Sequence, residues 1–148
     1  MITILAVGKK TDQNLINAIN GYQQRLRAPF NVKWLLIPYS AKDGLEARQD
    51  ESARLLKVLN PKDYIILLDE RGEQLTSPDF SKLITTSDRN ITIVIGGAYG
   101  VTDELRQRAD QVVSLSKMVF PHQLVRLVIL EQIYRAQTIY RHMPYHHQ

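Results

Sequence analysis

The sequence predicts an α/β fold, a mostly parallel sheet with helices on both faces. Short β-branched or aliphatic runs alternate with longer amphipathic segments along the chain, which is the order of strands and helices in such folds. Two of these runs, residues 64–68 and Ile91–Ile95, are apolar runs of the kind expected for strands covered on both faces. No repeat or linker divides the 148 residues. We therefore expect one domain, residues 1–148.

Five strands are expected in chain order. They are Ile2–Val7, Val32–Ile37, residues 64–68, Ile91–Ile95 and residues 112–115.

Five helices are expected between and after these strands. The first has Leu15, Ile19, Tyr22 and Leu26 on one face at steps of three and four. The second covers residues 45–59 and is closed by Asn60 and Pro61. The third is short, with Ser77 as N-cap and Pro78 in its first turn. The fourth starts at residues 102–104, and the fifth covers residues 122–141.

The first half of the last helix is apolar almost all round. A surface helix needs only one apolar stripe, so this helix should be covered on two sides. In a chain this short we expect a second subunit to supply one cover, which makes the protein a homodimer. A central helix fully buried within one chain is the alternative. The apolar positions are Leu124, Val125, Leu127, Val128, Ile129 and Leu130.

Composition excludes several classes of protein. The chain has no cysteine, so disulfides, zinc ribbons, iron–sulfur clusters and thiol nucleophiles are excluded, which suits a reducing cytoplasm. No apolar run approaches the ~20 residues of a membrane span, so we expect no membrane partner. The net charge of +4 is compatible with a polyanionic partner. All four histidines lie from residue 122 onward, where a nucleic-acid surface and a solvated basic face are both open interpretations.

Three segments follow strand ends, where ligands bind in parallel α/β sheets. Residues 69–72 follow the third strand, and a glycine-rich turn at residues 96–100 follows the fourth. Glycines let backbone amides approach a ligand closely, although the turn matches no standard nucleotide-binding motif and an ordinary tight turn is the alternative. Residues 115–120 could wall an adenine site with backbone groups and apolar side chains, or simply form a packed connection.

Several motifs occur together in the second half of the chain. They are IGG at residues 95–97 with Gly100, SLSKM at 114–118, PHQLVR at 121–126, EQIYRA at 131–136 and PYH at 144–146. In this order they resemble the RlmH family of SPOUT-class methyltransferases. The resemblance spans the whole chain, by pattern in the first half and motif by motif in the second.

The resemblance implies a C-terminal trefoil knot whose loops hold S-adenosylmethionine. It also implies a homodimer that methylates N3 of a pseudouridine in large-subunit (23S) ribosomal RNA, on the assembled ribosome, with no metal. Carried onto this sequence, the cofactor contacts are Leu68, Gly96, Leu115, Ser116, Lys117, Met118, Val119 and Phe120.

The resemblance places the catalytic candidates in the basic C-terminal region: His122, Arg126, Arg135, Tyr145 and His146. We expect both arginines to orient phosphate or the base. We expect Tyr145 and His146 to line the target pocket, with the tail reaching the partner's cofactor.

Each candidate has a structural alternative. His122 could cap the last helix, and Arg135 lies four residues after Glu131, the spacing of an ordinary helix ion pair. The tail could be a frayed terminus. His147 stands where family members often carry Arg or Lys, and a mostly neutral imidazole is a poorer phosphate ligand.

Two other functions compete with methyl transfer. One is a non-catalytic RNA-binding module on the same knotted scaffold, and the other is a nucleotide-binding α/β protein with no RNA role. The residues alone leave the group that accepts the substrate's proton undecided.

Overall fold

The computed structural model describes residues 1–147 and has five parallel strands in the order β2-β1-β4-β3-β5. The predicted α/β class is therefore confirmed. The elements are β1 (Ile2–Val7), α1 (Gln13–Arg25), β2 (Val32–Ile37), α2 (Gly44–Val58), β3 (Tyr64–Gln74), α3 (Ser77–Thr86), β4 (Ile91–Ile95), α4 (Asp103–Arg108), β5 (Gln111–Ser114) and α5 (His122–Tyr140).

The sheet separates two apolar cores, because successive side chains of a strand point to opposite faces. In β1, Ile4 and Ala6 belong to the larger core, beneath α1, α3 and α5, whereas Leu5 and Val7 belong to the smaller one, beneath α2 and α4. Helix α5 packs against both α1 and α3.

The direction of the connections creates crevices at the carboxyl ends of the strands. The chain leaves β1 and β3 for helices on the larger core's face, but leaves β4 for α4 on the other face. Neighbouring strands whose connections diverge in this way leave a gap above the sheet, where ligands bind in open α/β folds. Strand β4 lies between β1 and β3, so it borders two such gaps.

Strand β3 differs from its prediction, because it continues to Gln74 instead of ending at Leu68. Its register against β5 shifts between Leu68 and Glu73, so residues 69–72 form a bulged continuation and not a free loop. Gly72 makes this pairing possible, since a Cβ there would lie 2.7 Å from the backbone carbonyl of Val112. Because most residues of this stretch are polar, the apolar pattern that predicts strands ends at Leu68 and did not indicate the extension.

Two helix ends also differ in detail. Thr76, not Ser77, is the N-cap of α3, and its hydroxyl accepts from the backbone N–H of Asp79. The Ser77 hydroxyl instead donates to Gln132 on α5. Helix α5 ends at Tyr140, with His142 at φ 56° turning the chain back.

The apolar first half of α5 is only partly covered by its own chain. Leu124, Val125, Leu127 and Val128 are half-buried, whereas Ile129 and Leu130 are fully buried. The homodimer stays a prediction, as does the threading of the trefoil knot. Among residues 1–147, no helix combines the length and the apolar character needed to span a bilayer.

Candidate functional site

An open cleft of about 630 Å³, counting the space that opens to solvent, lies at the carboxyl ends of β3, β4 and β5. All three predicted segments contribute to it, so the sheet brings together stretches that are distant in sequence. Every predicted cofactor residue lines the cleft except Lys117, which is exposed next to it: Leu68, Gly96, Leu115, Ser116, Met118, Val119 and Phe120. Their contacts with a cofactor stay a prediction.

The glycine turn after β4 is tightly folded. The N–H of Gly100 donates to Gly97 O at 3.1 Å, and Gly100 has φ +80°, which favours glycine. A Cβ on Gly96 would lie 2.7 Å from Val101 Cγ1, and one on Gly97 would collide with the Glu51 carboxylate. The turn therefore needs glycine for its own packing, as an ordinary tight turn does, and its contact with a ligand stays a prediction.

The opposite wall, residues 115–120, is shaped by short local hydrogen bonds. Ser114 Oγ donates to Ser116 O at 2.7 Å, and Ser116 Oγ accepts from the N–H of Met118 at 3.0 Å. Met118 and Val119 are 75% and 76% exposed at the mouth of the cleft. Exposed apolar side chains beside backbone polar groups suit a flat ligand such as adenine.

Two carboxylates, Asp69 and Glu70, line the β3 side of the cleft. Burial would raise the pKa of Asp69, but the N–H of Arg71 and the guanidinium of Arg106, at 2.8 Å, outweigh burial and lower it. Asp69 is therefore ionised at neutral pH. Asp69 is paired with Arg106 and Arg71, so the exposed Glu70 is the carboxylate available to a positively charged ligand group.

His122 begins α5 and lines the same cleft. It does not cap the helix: Pro121 occupies the N-cap position without a side-chain cap bond, while His122 Nε2 lies 2.7 Å from Tyr39 Oη. Burial and the nearby Arg126 lower the pKa of His122, and Glu51 opposes them. The imidazole is therefore neutral at pH 7 and able to accept a proton. Tyr39, at the end of β2, was missed by the sequence analysis.

Arg126 lies one turn further along α5 and is completely buried. Its guanidinium donates to the carbonyls of Val7 (2.9 Å), Gly8 (2.8 Å) and Lys10 (3.2 Å), and to the Thr11 hydroxyl (3.1 Å). These bonds fasten the β1–α1 connection to α5. Burial lowers the pKa of Arg126, but a guanidinium stays charged. This placement favours a positioning role over the predicted contact with phosphate or base.

The change Arg126→Met is expected to lower the free energy of unfolding by about 2–4 kcal/mol, because it leaves several buried carbonyl oxygens without donors. Urea denaturation of both proteins measures the difference. Unchanged stability together with weaker RNA binding would instead support the predicted contact with RNA.

The tail folds back onto the middle of α5. Glu131 Oε1 accepts from Arg135 Nη2 at 2.6 Å and from the Tyr145 hydroxyl at 3.1 Å, and Arg135 Nη1 lies 3.2 Å from His146 Nδ1. The Tyr145 ring packs edge-on against Tyr134. The ordinary Glu131–Arg135 ion pair therefore exists, and the tail is attached to it rather than frayed.

The contacts within this tail cluster shift the pKa values of Arg135 and Tyr145. The hydrogen bond to Glu131 raises the pKa of Arg135. Burial, together with hydrogen bonds to Tyr22 and Glu131, raises the pKa of Tyr145. Tyr145 is therefore a neutral hydrogen-bond donor at physiological pH and not a proton acceptor.

The tail cluster and the cleft lie at different points along α5. Arg135 follows His122 by about 20 Å along the helix at a rise of 1.5 Å per residue. The predicted catalytic residues thus fall into two groups: His122 at the cleft, and Arg135, Tyr145 and His146 away from it. Arg126, the remaining candidate, is buried one turn after His122 on α5. Within residues 1–147, no cluster of three or more His, Asp or Glu side chains could hold a metal ion.

The chain is similar to proteins of one named family. It matches the family model described as "Predicted SPOUT methyltransferase" over residues 1–146. Relatives named "Ribosomal RNA large subunit methyltransferase H" include one from Geobacter sulfurreducens, 44% identical over 153 residues, and one from Parabacteroides distasonis, 39% identical over 155 residues. In both, 99% of this chain and 99% of the relative are covered.

A solved structure shares the fold. "The structure of a probable methylase family protein from Haemophilus influenzae Rd KW20" superposes with a TM-score of 0.62 at 11% identity, covering 99% of this chain and 70% of that one. Fold, cleft and sequence likeness agree, and the chain belongs to the SPOUT methyltransferases, in the RlmH family.

Proposed function

We propose that this chain transfers the methyl group of S-adenosylmethionine to N3 of a pseudouridine in large-subunit (23S) ribosomal RNA. The observation that carries the proposal is the cleft. In a member of the RlmH family, the strand ends assemble nearly all the residues that the family resemblance assigns to the cofactor.

The residues of the cleft fit this methyl donor. Residues 115–120 offer apolar side chains and backbone groups to the adenine, and the glycine turn permits close approach on the opposite side. The carboxylate of Glu70, at the cleft and without an ion pair in the described residues, suits a ligand with a cationic sulfonium and ammonium. When bound, S-adenosylmethionine supplies a methyl group activated by its positive sulfur.

The protein's main task is then to orient the reacting atoms. Holding a nucleophilic nitrogen in line with an activated methyl group can supply roughly 7–11 kcal/mol of the barrier. The imide N–H of the base must also lose its proton, and His122 is a neutral imidazole at the cleft.

The tail reaches a cleft only if a second copy of the chain supplies it. Tyr145 and His146 contact Glu131 and Arg135, which follow His122 by about 14 and 20 Å along α5. The half-covered apolar face of α5 next to the cleft offers a surface for that copy. We therefore infer a homodimer in which each active site combines one protomer's cleft with its partner's tail.

The substrate is polyanionic RNA in the cytoplasm, and the surface charge suits it. The net charge of +4 leaves several Lys and Arg side chains to neutralise phosphates, so RNA affinity should fall steeply with salt. His147 stands in place of a fixed cation, so the tail is expected to contribute less to phosphate binding than an Arg or Lys there would.

Mass spectrometry of large-subunit RNA tests this function. RNA from cells lacking the gene should lack one methyl group, and incubating those ribosomes with the protein and S-adenosylmethionine should restore it on a pseudouridine. Calorimetry should show binding of S-adenosylmethionine in preference to ATP or GTP. Cofactor binding without methylation would indicate a non-catalytic RNA-binding module, and preference for ATP or GTP a nucleotide-binding protein.

A further inference from the structure

By the same rule, the diverging connections of β1 and β4 leave a second crevice between the ends of these strands, on the other side of β4. Gly8 follows β1 and Gly97 follows β4, and these adjacent strands continue to helices on opposite faces of the sheet. Tyr39 from the end of β2 and Glu51 from α2 meet here with His122, which also lines the cleft. His122 therefore borders both crevices.

Glu51 is a buried carboxylate, 4% exposed. Its Oε2 accepts from the N–H of Ser40 at 3.0 Å, while its Oε1 has no hydrogen-bond partner within residues 1–147. The side chain lies against Gly97, in space that any larger residue would fill. Burying a carboxylate costs several kcal/mol unless opposite charge or hydrogen bonds compensate. No salt bridge to Glu51 exists in the described chain.

The Tyr39–Ser40 dipeptide connects Glu51 to His122. The backbone N–H of Ser40 holds the Glu51 carboxylate, and the Tyr39 hydroxyl lies 2.7 Å from His122 Nε2. The Tyr39 ring rests on Gly8, where a Cβ would lie 2.6 Å from ring atoms, and Gly8 has φ +103°. Glycine at position 8 therefore allows the tyrosine to reach the histidine.

Titratable and charged side chains from four elements surround His122. Tyr39 approaches from the end of β2, Glu51 from α2 and Arg126 from α5, while Asp69 and Glu70 line the cleft from β3. Arg126 opposes a positive charge on the imidazole, and Glu51 favours one. The guanidinium of Arg126 already donates hydrogen bonds to main-chain oxygens. Glu51 is therefore the buried carboxylate that can compensate the positive charge of a protonated His122.

We propose that His122 accepts the imide proton of the base during methyl transfer, and that Tyr39 and Glu51 are its positioning residues. This role requires the tautomer in which Nε2–H donates to Tyr39 Oη and the Nδ1 lone pair is free to take the proton. Glu51 then stabilises the imidazolium. This inference rests on the proposed methyl transfer and deepens it.

The step balances in atoms and charge. The N3–H bond breaks and its proton forms a bond with His122 Nδ1, while the N3 electron pair forms a bond with the methyl carbon. The carbon–sulfur bond breaks and its electrons neutralise the sulfonium. The positive charge moves from sulfur to the imidazolium, which releases its proton to water.

The isosteric change Glu51→Gln tests the proposal, because glutamine can still accept from Ser40 N–H but carries no charge. Two measurements are made: the NMR titration of His122 in the free protein, and the pH profile of single-turnover methylation on undermethylated ribosomes. We expect the pKa of His122 to fall, the acid limb of the profile to move to lower pH, and the plateau rate to drop about 10- to 100-fold, since a weaker base transfers protons more slowly.

Two further variants separate positioning from folding. Tyr39→Phe keeps the ring over Gly8 and removes only the hydroxyl. We therefore expect a lower plateau rate of methylation and an unchanged free energy of unfolding. Asp50→Asn is the matched control, because Asp50 also accepts from Ser40, through Oγ at 2.7 Å, but pairs with Arg54. It should leave both the His122 titration and the pH profile unchanged.

An unchanged His122 titration and pH profile in Glu51→Gln would overturn the proposal, as would full activity of His122→Ala. Either result in an otherwise active enzyme leaves the proposed methyl transfer standing. If the unaltered protein fails to methylate ribosomes, the proposed function and this inference both fall.

Discussion

Deleting residues 145–148 is expected to lower methylation of large-subunit RNA by about 1,000-fold or more, the scale of lost positioning and proton-transfer groups. Affinity for S-adenosylmethionine should stay within about twofold of the full-length protein, because Tyr145 and His146 contact Glu131, Tyr134 and Arg135 rather than the cleft. Methyl transfer to purified ribosomes and calorimetry with the cofactor measure the two quantities.

Narrower variants locate the effect within the tail. Tyr145→Phe removes the hydroxyl that donates to Glu131, and His146→Ala removes the partner of Arg135. Met143→Ala is the control, since Met143 lies just before the tail residues with an exposed side chain. Full activity of the truncated protein would show that the tail only packs against the middle of its own helix.

Ser116→Trp is expected to weaken S-adenosylmethionine binding by at least about 100-fold and to abolish methylation, because an indole fills much of the cleft between the loop of residues 115–120 and the glycine turn. Ser116 is a better position than Gly96, where even a Cβ meets Val101 Cγ1 at 2.7 Å and disturbs packing. Calorimetry measures the affinity, and thermal unfolding checks that the fold is kept.

The matched control is Gln107→Trp, at an exposed position on α4 outside the cleft. It adds the same side chain and should bind the cofactor normally. If Ser116→Trp also binds normally, the cofactor lies elsewhere and the site assignment is wrong.

The periodicity of apolar residues predicted most of the fold, because each buried strand has a recognisable pattern within its own few residues. The bounds of β1, β2 and β4 agree with prediction, since each is an apolar or alternating run with a clear end. The extension of β3 escaped prediction because polar residues pair with β5 across a register shift. Pairing between strands distant in sequence determines that extension, and no local pattern encodes it.

The cleft was predictable for a related reason. Strand ends meet at one edge of a parallel sheet, so marking the residues after each strand marks the site. Tyr39 also follows a strand and could have been found by the same rule. Glu51 had a different signal: with Ala47 and Leu55 it lies on the buried stripe of α2 at steps of four, and an acid on such a stripe is unusual.

The role of Arg126 could not be predicted from sequence. An arginine within an apolar stretch of helix is compatible both with a nucleic-acid contact and with a buried hydrogen-bonding role. Only the fold shows that the carbonyls of the β1–α1 connection lie opposite its guanidinium. Likewise, the separation of Arg135 from the cleft follows from the course of α5 in three dimensions.

In the proposed homodimer, a cleft from one protomer and a tail from its partner form one active site. Methylation by mixed dimers tests it most directly. Ser116→Trp, with a blocked cleft and an intact tail, is unfolded and refolded together with the chain lacking residues 145–148, which has an intact cleft. Each variant alone should be inactive, whereas the mixed dimer contains one complete site and should methylate ribosomes. A mixture as inactive as its components, with mixed dimers present, would contradict the claim.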